Sequence, residues 1–247
     1  MKSISQGQLL DSLLYVYNDQ LDARWNYSQI IGSQPSSLTG LGAPATVTYG
    51  FLESAPTSYD WGSSFSAFST QYKNSAKLAL SAYSNCANIL FSPKLAASSA
   101  SIRFGLNAQS DTTAGYAYAP AFSYTYSQKD GKVLSISELE EAGDIWLNKD
   151  ISYSKTDFEP GGEGFATLLH EIGHAIGLQH TFEGSHALSS EYDSNQYSVM
   201  SYTPHPHAKM LDFEVSGDKS NYSYSYTLRD LSPRSLMLGD IASVQAL

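Results

Sequence analysis

His170, Glu171, His174 and His180 are the residues whose types and spacing can do chemistry. They stand in the run His170-Glu171-Ile172-Gly173-His174-Ala175-Ile176-Gly177-Leu178-Gln179-His180, an H-E-x-x-H-x-x-G-x-x-H pattern. Residues four apart on a helix lie one turn apart on nearly the same face, so His170 and His174 can grip one metal ion. The carboxylate of Glu171 then falls beside the open coordination position. A third ligand from the same straight helix would point away. Gly177 supplies the remedy: it enters the left-handed region cheaply, ends the helix and turns the chain, so that His180 approaches from another direction. Three neutral imidazoles with a fourth position left open describe a catalytic zinc, not a closed structural one. A core helix whose histidines merely satisfy hydrogen bonds is the competing reading, and the extended motif is too specific for it.

The elements that must position these groups follow from periodicity. Phe165, Leu168, Leu169, Ile172 and Ile176 make an apolar stripe that turns the histidine face of the helix towards a cleft. Glu163 at its start is an acid compensating the helix dipole. Upstream, Leu9, Leu10, Leu13, Leu14 and Tyr17 predict an amphipathic helix over residues 8–17, packed on the domain surface in preference to serving as a pro-segment. Residues 32–44 read as a loop. Residues 46–51 alternate as a strand with one buried face, and a helix is predicted from about Ser64 to Asn85, opened by Phe65 and Phe68. Ile89-Leu90-Phe91 reads as a short buried strand, residues 101–106 as an alternating one, and Asp144–Asn148 as the last strand before the active helix. Ala114–Pro120 reads as an edge strand, since proline cannot sit in a central ladder. Strands and helices alternating over the first 180 residues predict an α/β domain with a mostly parallel sheet. Beyond His180 the pattern loosens, and one helix closes the chain, with Ser232 as N-cap, Pro233 as its first residue, and Leu236, Met237, Ile241 and Val244 on its apolar side.

Composition bounds the rest. The chain has 247 residues, 42% hydrophobic and 15% charged, enough for a buried core and not a disordered chain. A net charge of −10 argues against nucleic acid or an anionic membrane as partner. No run of eighteen or more apolar residues exists, so no membrane span is read. No secretory signal peptide is visible at Met1–Gly7, and Asp11 interrupts the apolar residues that follow. The single cysteine, Cys86, allows no internal disulfide and continues the core stripe of Tyr72, Ala76, Ala79 and Tyr83. It reads as a structural thiol in preference to a thiolate blocking a metal.

A second stretch, Gln196-Tyr197-Ser198-Val199-Met200-Ser201-Tyr202, follows the histidine motif. Together the two stretches resemble the serralysin group of metzincin zinc metalloproteases, over roughly residues 45–247. The resemblance implies a metzincin (zincin-like) catalytic domain: a twisted, mixed, mostly parallel five-stranded sheet with an antiparallel edge strand, an active-site helix, and a loop-rich C-terminal subdomain with a closing helix. It divides the chain into an N-terminal helix and loop (1–44), a catalytic subdomain ending in the zinc helix (45–180) and a C-terminal subdomain with the methionine turn (181–247). It makes Met200 the turn methionine, and gives Tyr202 two roles: a zinc ligand at rest and a donor to the oxyanion once substrate binds. It makes the 114–120 edge the strand that pairs with an extended substrate. It implies Zn2+ as cofactor, protein or peptide substrates, a secreted monomer, and admits a small protein inhibitor as partner. Calcium is left open, because the glycine- and aspartate-rich repeats that usually follow the catalytic domain are missing, and the chain reads as either a minimal form or a fragment. Thr181 stands where the family usually has proline, a departure expected to matter little.

The function expected is a zinc metalloendopeptidase (EC 3.4.24) with Glu171 as general base and acid. A catalytically silent zinc-binding or adhesion module derived from a protease is the alternative, and it has little use for Glu171. A zinc hydrolase of non-peptide substrates is a third class, against which the edge strand argues. His186, His205 and His207 read as solvated loop histidines, with the rim of a substrate pocket as the other reading for the last two. Asp193 is a candidate partner for a ligand imidazole.

Overall fold

The computed structural model describes residues 4–17, 21–26, 30–34, 41–59 and 64–247. In chain order these form α1 (Gln6–Leu13), β1 (Val16–Tyr17), β2 (Leu21–Asp22), β3 (Ala45–Phe51), α2 (Thr70–Ser84), β4 (Ile89–Pro93), β5 (Ile102–Asn107), β6 (Gly115–Ala117) and β7 (Phe122–Tyr126). There follow β8 (Val133–Glu138), β9 (Ile145–Asn148), α3 (Glu163–Ile176), β10 (Lys209–Asp218), β11 (Asn221–Asp230) and α4 (Leu238–Ala246). Of the predicted 32–44 loop, residues 35–40 lie outside the described residues, as do Met1–Ser3.

The main sheet has five strands in the order β4-β3-β5-β9-β6. β3 pairs in parallel with β4 and β5, β5 pairs in parallel with β9, and β6 runs antiparallel to β9 with Tyr116 opposite Trp146. The α/β class with one antiparallel edge is as the sequence predicts. β5 departs from the expected alternation: all of Ile102–Asn107 is buried, because helices cover one face and aromatic side chains the other. On the aromatic face Trp146 is fully buried against Tyr59, and Arg103 pairs through two atoms with Asp144, which also accepts from the Tyr59 hydroxyl at 2.6 Å. β4 is a half-buried edge strand whose Leu90 is exposed, where a buried one was expected.

α2 and α3 pack on the other face, where Leu80, Tyr83, Phe104, Leu168, Ile172 and Met200 share one core. α2 begins at Thr70 behind the N-cap Ser69, later than predicted. Phe65 and Phe68 precede it in extended chain, with Ser66 bridging to Leu106, so the sheet takes residues that helical spacing would assign to the helix. α1 stops at Leu13, earlier than the predicted 17, and packs against α4. α4 starts at Leu238, not at Pro233, because the Asp240 carboxylate caps the Met237 N–H at 2.7 Å. Three antiparallel strand pairs were not foreseen: the short β1–β2, β7–β8, and the long β10–β11 ribbon, exposed along nearly its whole length.

The segment after α1 holds the end of α3. The Tyr15 N–H donates to the Gly177 carbonyl at 2.9 Å, the Gln179 N–H donates to Leu13 at 2.8 Å, and the Trp25 indole donates to Ala175 at 2.8 Å. Gly177 sits at φ 113°, and a Cβ built there would lie 1.8 Å from the Ala23 carbonyl oxygen. Both conformation and space therefore demand glycine. Gly177→Ala should cost about 3 kcal/mol or more, combining backbone strain with overpacking. Thermal unfolding checks this; a variant melting within about 2 °C of wild type would show that the turn accepts a side chain.

Candidate metal centre

α3 places His170 and His174 on one face, and the Gly177 turn returns the chain so that His180 meets them. The three Nε2 atoms form a nearly equilateral triangle, with edges of 3.1, 3.1 and 3.2 Å. Outward, the Nδ1 atom of His170 lies 2.8 Å from the Val199 carbonyl and that of His174 lies 2.8 Å from the Leu178 carbonyl. A carbonyl only accepts, so each of these Nδ1 atoms carries the proton and each Nε2 is left with a lone pair. His180 Nδ1 lies 2.8 Å from Glu183 Oε1, in a contact that falls outside hydrogen-bond geometry.

Lone pairs facing each other at this distance repel, and a cation relieves them. Ligand nitrogens about 2.0–2.1 Å from one tetrahedral zinc stand about 3.3–3.4 Å apart, close to the observed edges, so the donor set fits zinc. Among the described residues no other cluster of three His, Cys, Asp or Glu side chains is placed to hold a metal. Burial, and the neighbouring imidazole charges, lower the His170 pKa to about 3 and the His174 pKa to about 4. Both rings are therefore neutral and ready to ligate at neutral pH.

Glu171 is buried, and burial raises its pKa to about 8. Among the described residues its Oε2 has no hydrogen-bond partner, yet Glu171 lines the same cleft as His174 and His180, a volume of about 470 Å³. The edge strand makes room for it: a Cβ on Gly115 would come within 3.2 Å of Glu171 Cγ. Tyr202 stands at the mouth, 68% exposed, with its hydroxyl 2.9 Å from His180 Nε2 and its ring stacked on His170. Met200 is fully buried beneath the helix, where a Cβ on Gly173 would approach its sulfur to 2.5 Å. The residues singled out in the sequence are thus brought together.

The other candidates lie outside this group. Asp193 touches no imidazole: its Oδ1 accepts from the Thr181 hydroxyl at 2.5 Å and the Ser201 hydroxyl at 2.6 Å. Thr181, expected to matter little, is fully buried in that link. His186, His205 and His207 do not line the cleft. Cys86 packs partly buried against the core, its thiol donating to the Tyr83 carbonyl. Sequence reasoning missed Tyr15, Gln179 and Glu183 as cleft residues, and the carbonyl partners of the imidazoles. Glu183 lies three residues past His180, an offset that carried a signal; the carbonyls carried none.

The family profile described as Peptidase_M10, matrixin, matches residues 46–203. A serralysin of Photorhabdus luminescens is 32% identical over 209 residues, covering 80% of this chain and 39% of its own length. A serralysin of Proteus mirabilis is 30% identical over 205 residues, covering 73% and 36%. The chain spans less than two fifths of the length of these two relatives. A solved structure of myroilysin aligns at 20% identity with a TM-score of 0.33, over 63% of this chain and 52% of that one.

In the metal-free protein the buried Glu171 sets a pH dependence of stability. Its folded pKa of about 8 lies above the ordinary value of 4.5, so the folded state binds the extra proton between these values and loses stability as pH rises through them. Metal-free Glu171→Gln should therefore gain on metal-free wild type from about pH 4.5 to 8, by about 5 kcal/mol at most. Zinc should shrink the gap, because a cation favours the ionised carboxylate. Denaturant unfolding of both proteins across this range checks it; a constant difference would mean that Glu171 is solvated in the folded state.

Proposed function

The chain belongs to the matrixin family, Peptidase_M10, as a serralysin-type metzincin, and from that premise we propose that it is a zinc-dependent endopeptidase. The observation that carries this reading is the triangle of Nε2 atoms sharing one cleft with an oxygen of Glu171 that has no partner among the described residues. His170, His174 and His180 would hold the metal. Zinc bound there supplies Lewis-acid polarisation of a carbonyl and a bound water of lowered pKa. Glu171 accepts a proton from the attacking water and delivers it to the leaving amine. Burial raises the Glu171 pKa and a bound cation would draw it back down, so that the carboxylate is ionised and able to take the proton of the water. The Tyr202 hydroxyl, a zinc ligand at rest in this reading, donates to the oxyanion when substrate enters.

β6 supports a peptide substrate. Among the described residues it is the outermost strand of the sheet, paired only with β9, and its residues line the cleft. An extended chain laid along it would be bound by backbone hydrogen bonds, which recognise many sequences. Among the described residues no helix is long and apolar enough to cross a membrane. Secretion, a monomeric state and the subdomain division at His180 belong to the same proposal, carried by the family.

The test is hydrolysis of unfolded casein at neutral pH, before and after o-phenanthroline, with zinc then restored. Activity should vanish on chelation and return with zinc. Glu171→Ala should abolish turnover while keeping the metal; appreciable remaining activity would remove that residue from the mechanism. Tyr202→Phe should lower kcat about a hundredfold or more, with KM little changed and zinc retained, the usual cost of one oxyanion donor. A Tyr202→Phe enzyme with normal kcat would show that the phenol takes no part in the reaction.

A further inference from the structure

Asp193 occupies a junction that the proposed reaction does not explain. One of its oxygens accepts two hydroxyl hydrogens at 2.5 and 2.6 Å, the short range of charge-assisted bonds. One donor, Thr181, directly follows His180; the other, Ser201, lies between Met200 and Tyr202. Thr181 is fully buried and Ser201 is 4% exposed, so both donors are shielded, while the Asp193 carboxylate that joins them is half-buried. No helix or strand spans residues 181–203, so no ladder fixes the distance between the two arms. Asn195 braces the second arm, its N–H donating to Thr203 at 2.8 Å and its amide to Ser201 at 2.7 Å, but it does not reach the first.

We propose that Asp193 is a positioning residue that clamps the His180 arm to the Tyr202 arm, with Thr181 acting through the imidazole and Ser201 through the phenol. The 2.9 Å spacing of the Tyr202 hydroxyl from His180 Nε2 is what the clamp sets. A proline at 181 has no hydroxyl and cannot make this link. The inference rests on the zinc-peptidase reading.

The experiment measures zinc affinity, by competition with a chromophoric chelator, alongside kcat, KM and melting temperature for the purified chain. Thr181→Val, which keeps the shape, should weaken zinc binding about ten- to a hundredfold, and Thr181→Ser should restore it. Ser201→Ala should keep zinc and lower kcat about tenfold at unchanged KM, and that loss should disappear in a Tyr202→Phe background. Asp193→Asn, which removes the charge alone, should show both effects. Wild-type zinc affinity in Thr181→Val, together with an equal Ser201→Ala loss with and without the Tyr202 hydroxyl, overturns the clamp. A wild-type chain that binds no zinc overturns the reading beneath it as well, which separates the two failures.

Discussion

Three imidazole nitrogens facing one another at 3.1–3.2 Å are an unfavourable arrangement without a cation between them, and much of the architecture exists to hold them there. Two of the rings are carried by one helix, which is the easy part. The third depends on a left-handed glycine whose turn is closed from outside by residues of the N-terminal segment, Leu13, Tyr15 and Ala23. The helix end is therefore held by tertiary contacts as much as by its own cap. That makes α1 and the chain after it part of the site, both as a brace and through Tyr15, which lines the cleft.

The same constraint explains the small residues around the helix. Gly173 lets Met200 approach from below, and Gly115 lets the edge strand close on Glu171 from the side. A helix that must show ligands on one face and take a methionine and a strand on others has room for few side chains. The cost of keeping Glu171 in this enclosure is its desolvation, visible in its raised pKa. A bound cation would make a buried carboxylate tolerable there.

Legibility in the sequence follows from where the determinants lie. His170, Glu171, His174, Gly177 and His180 were readable because metal geometry dictates residue type and spacing within one turn and one bend. The parallel sheet was readable from strands alternating with helices, although β5, buried on both faces, hides its alternation. Carbonyl partners such as Val199 and Leu178 leave no mark on side-chain type. The β10–β11 ribbon did leave one: Leu211, Phe213 and Val215 alternate with acids and serine, as do Tyr222, Tyr224, Tyr226 and Leu228 with small polar residues and arginine. Its abundance of serine and tyrosine masked a period of two. Ser232-Pro233 misled in the other direction, because a carboxylate eight residues on captured the first free N–H instead.

That capture points to how the irregular part of the molecule is specified. Between His180 and α4 no strand joins the main sheet, so backbone ladders cannot tie this part to the core. Two carboxylates replace them. Asp240 accepts from the Ser198 hydroxyl and from the Val199 and Met237 N–H groups, joining the methionine turn to the closing helix. Asp193 joins the turn to the residue after His180. Burial raises the Asp240 pKa to about 6 despite three donors, so the junction is expensive. An apolar contact would be cheaper, but it would not fix direction, and a phenol held 2.9 Å from an imidazole nitrogen requires direction. Directed, charge-assisted bonds are what a loop can use where a sheet would use its ladder.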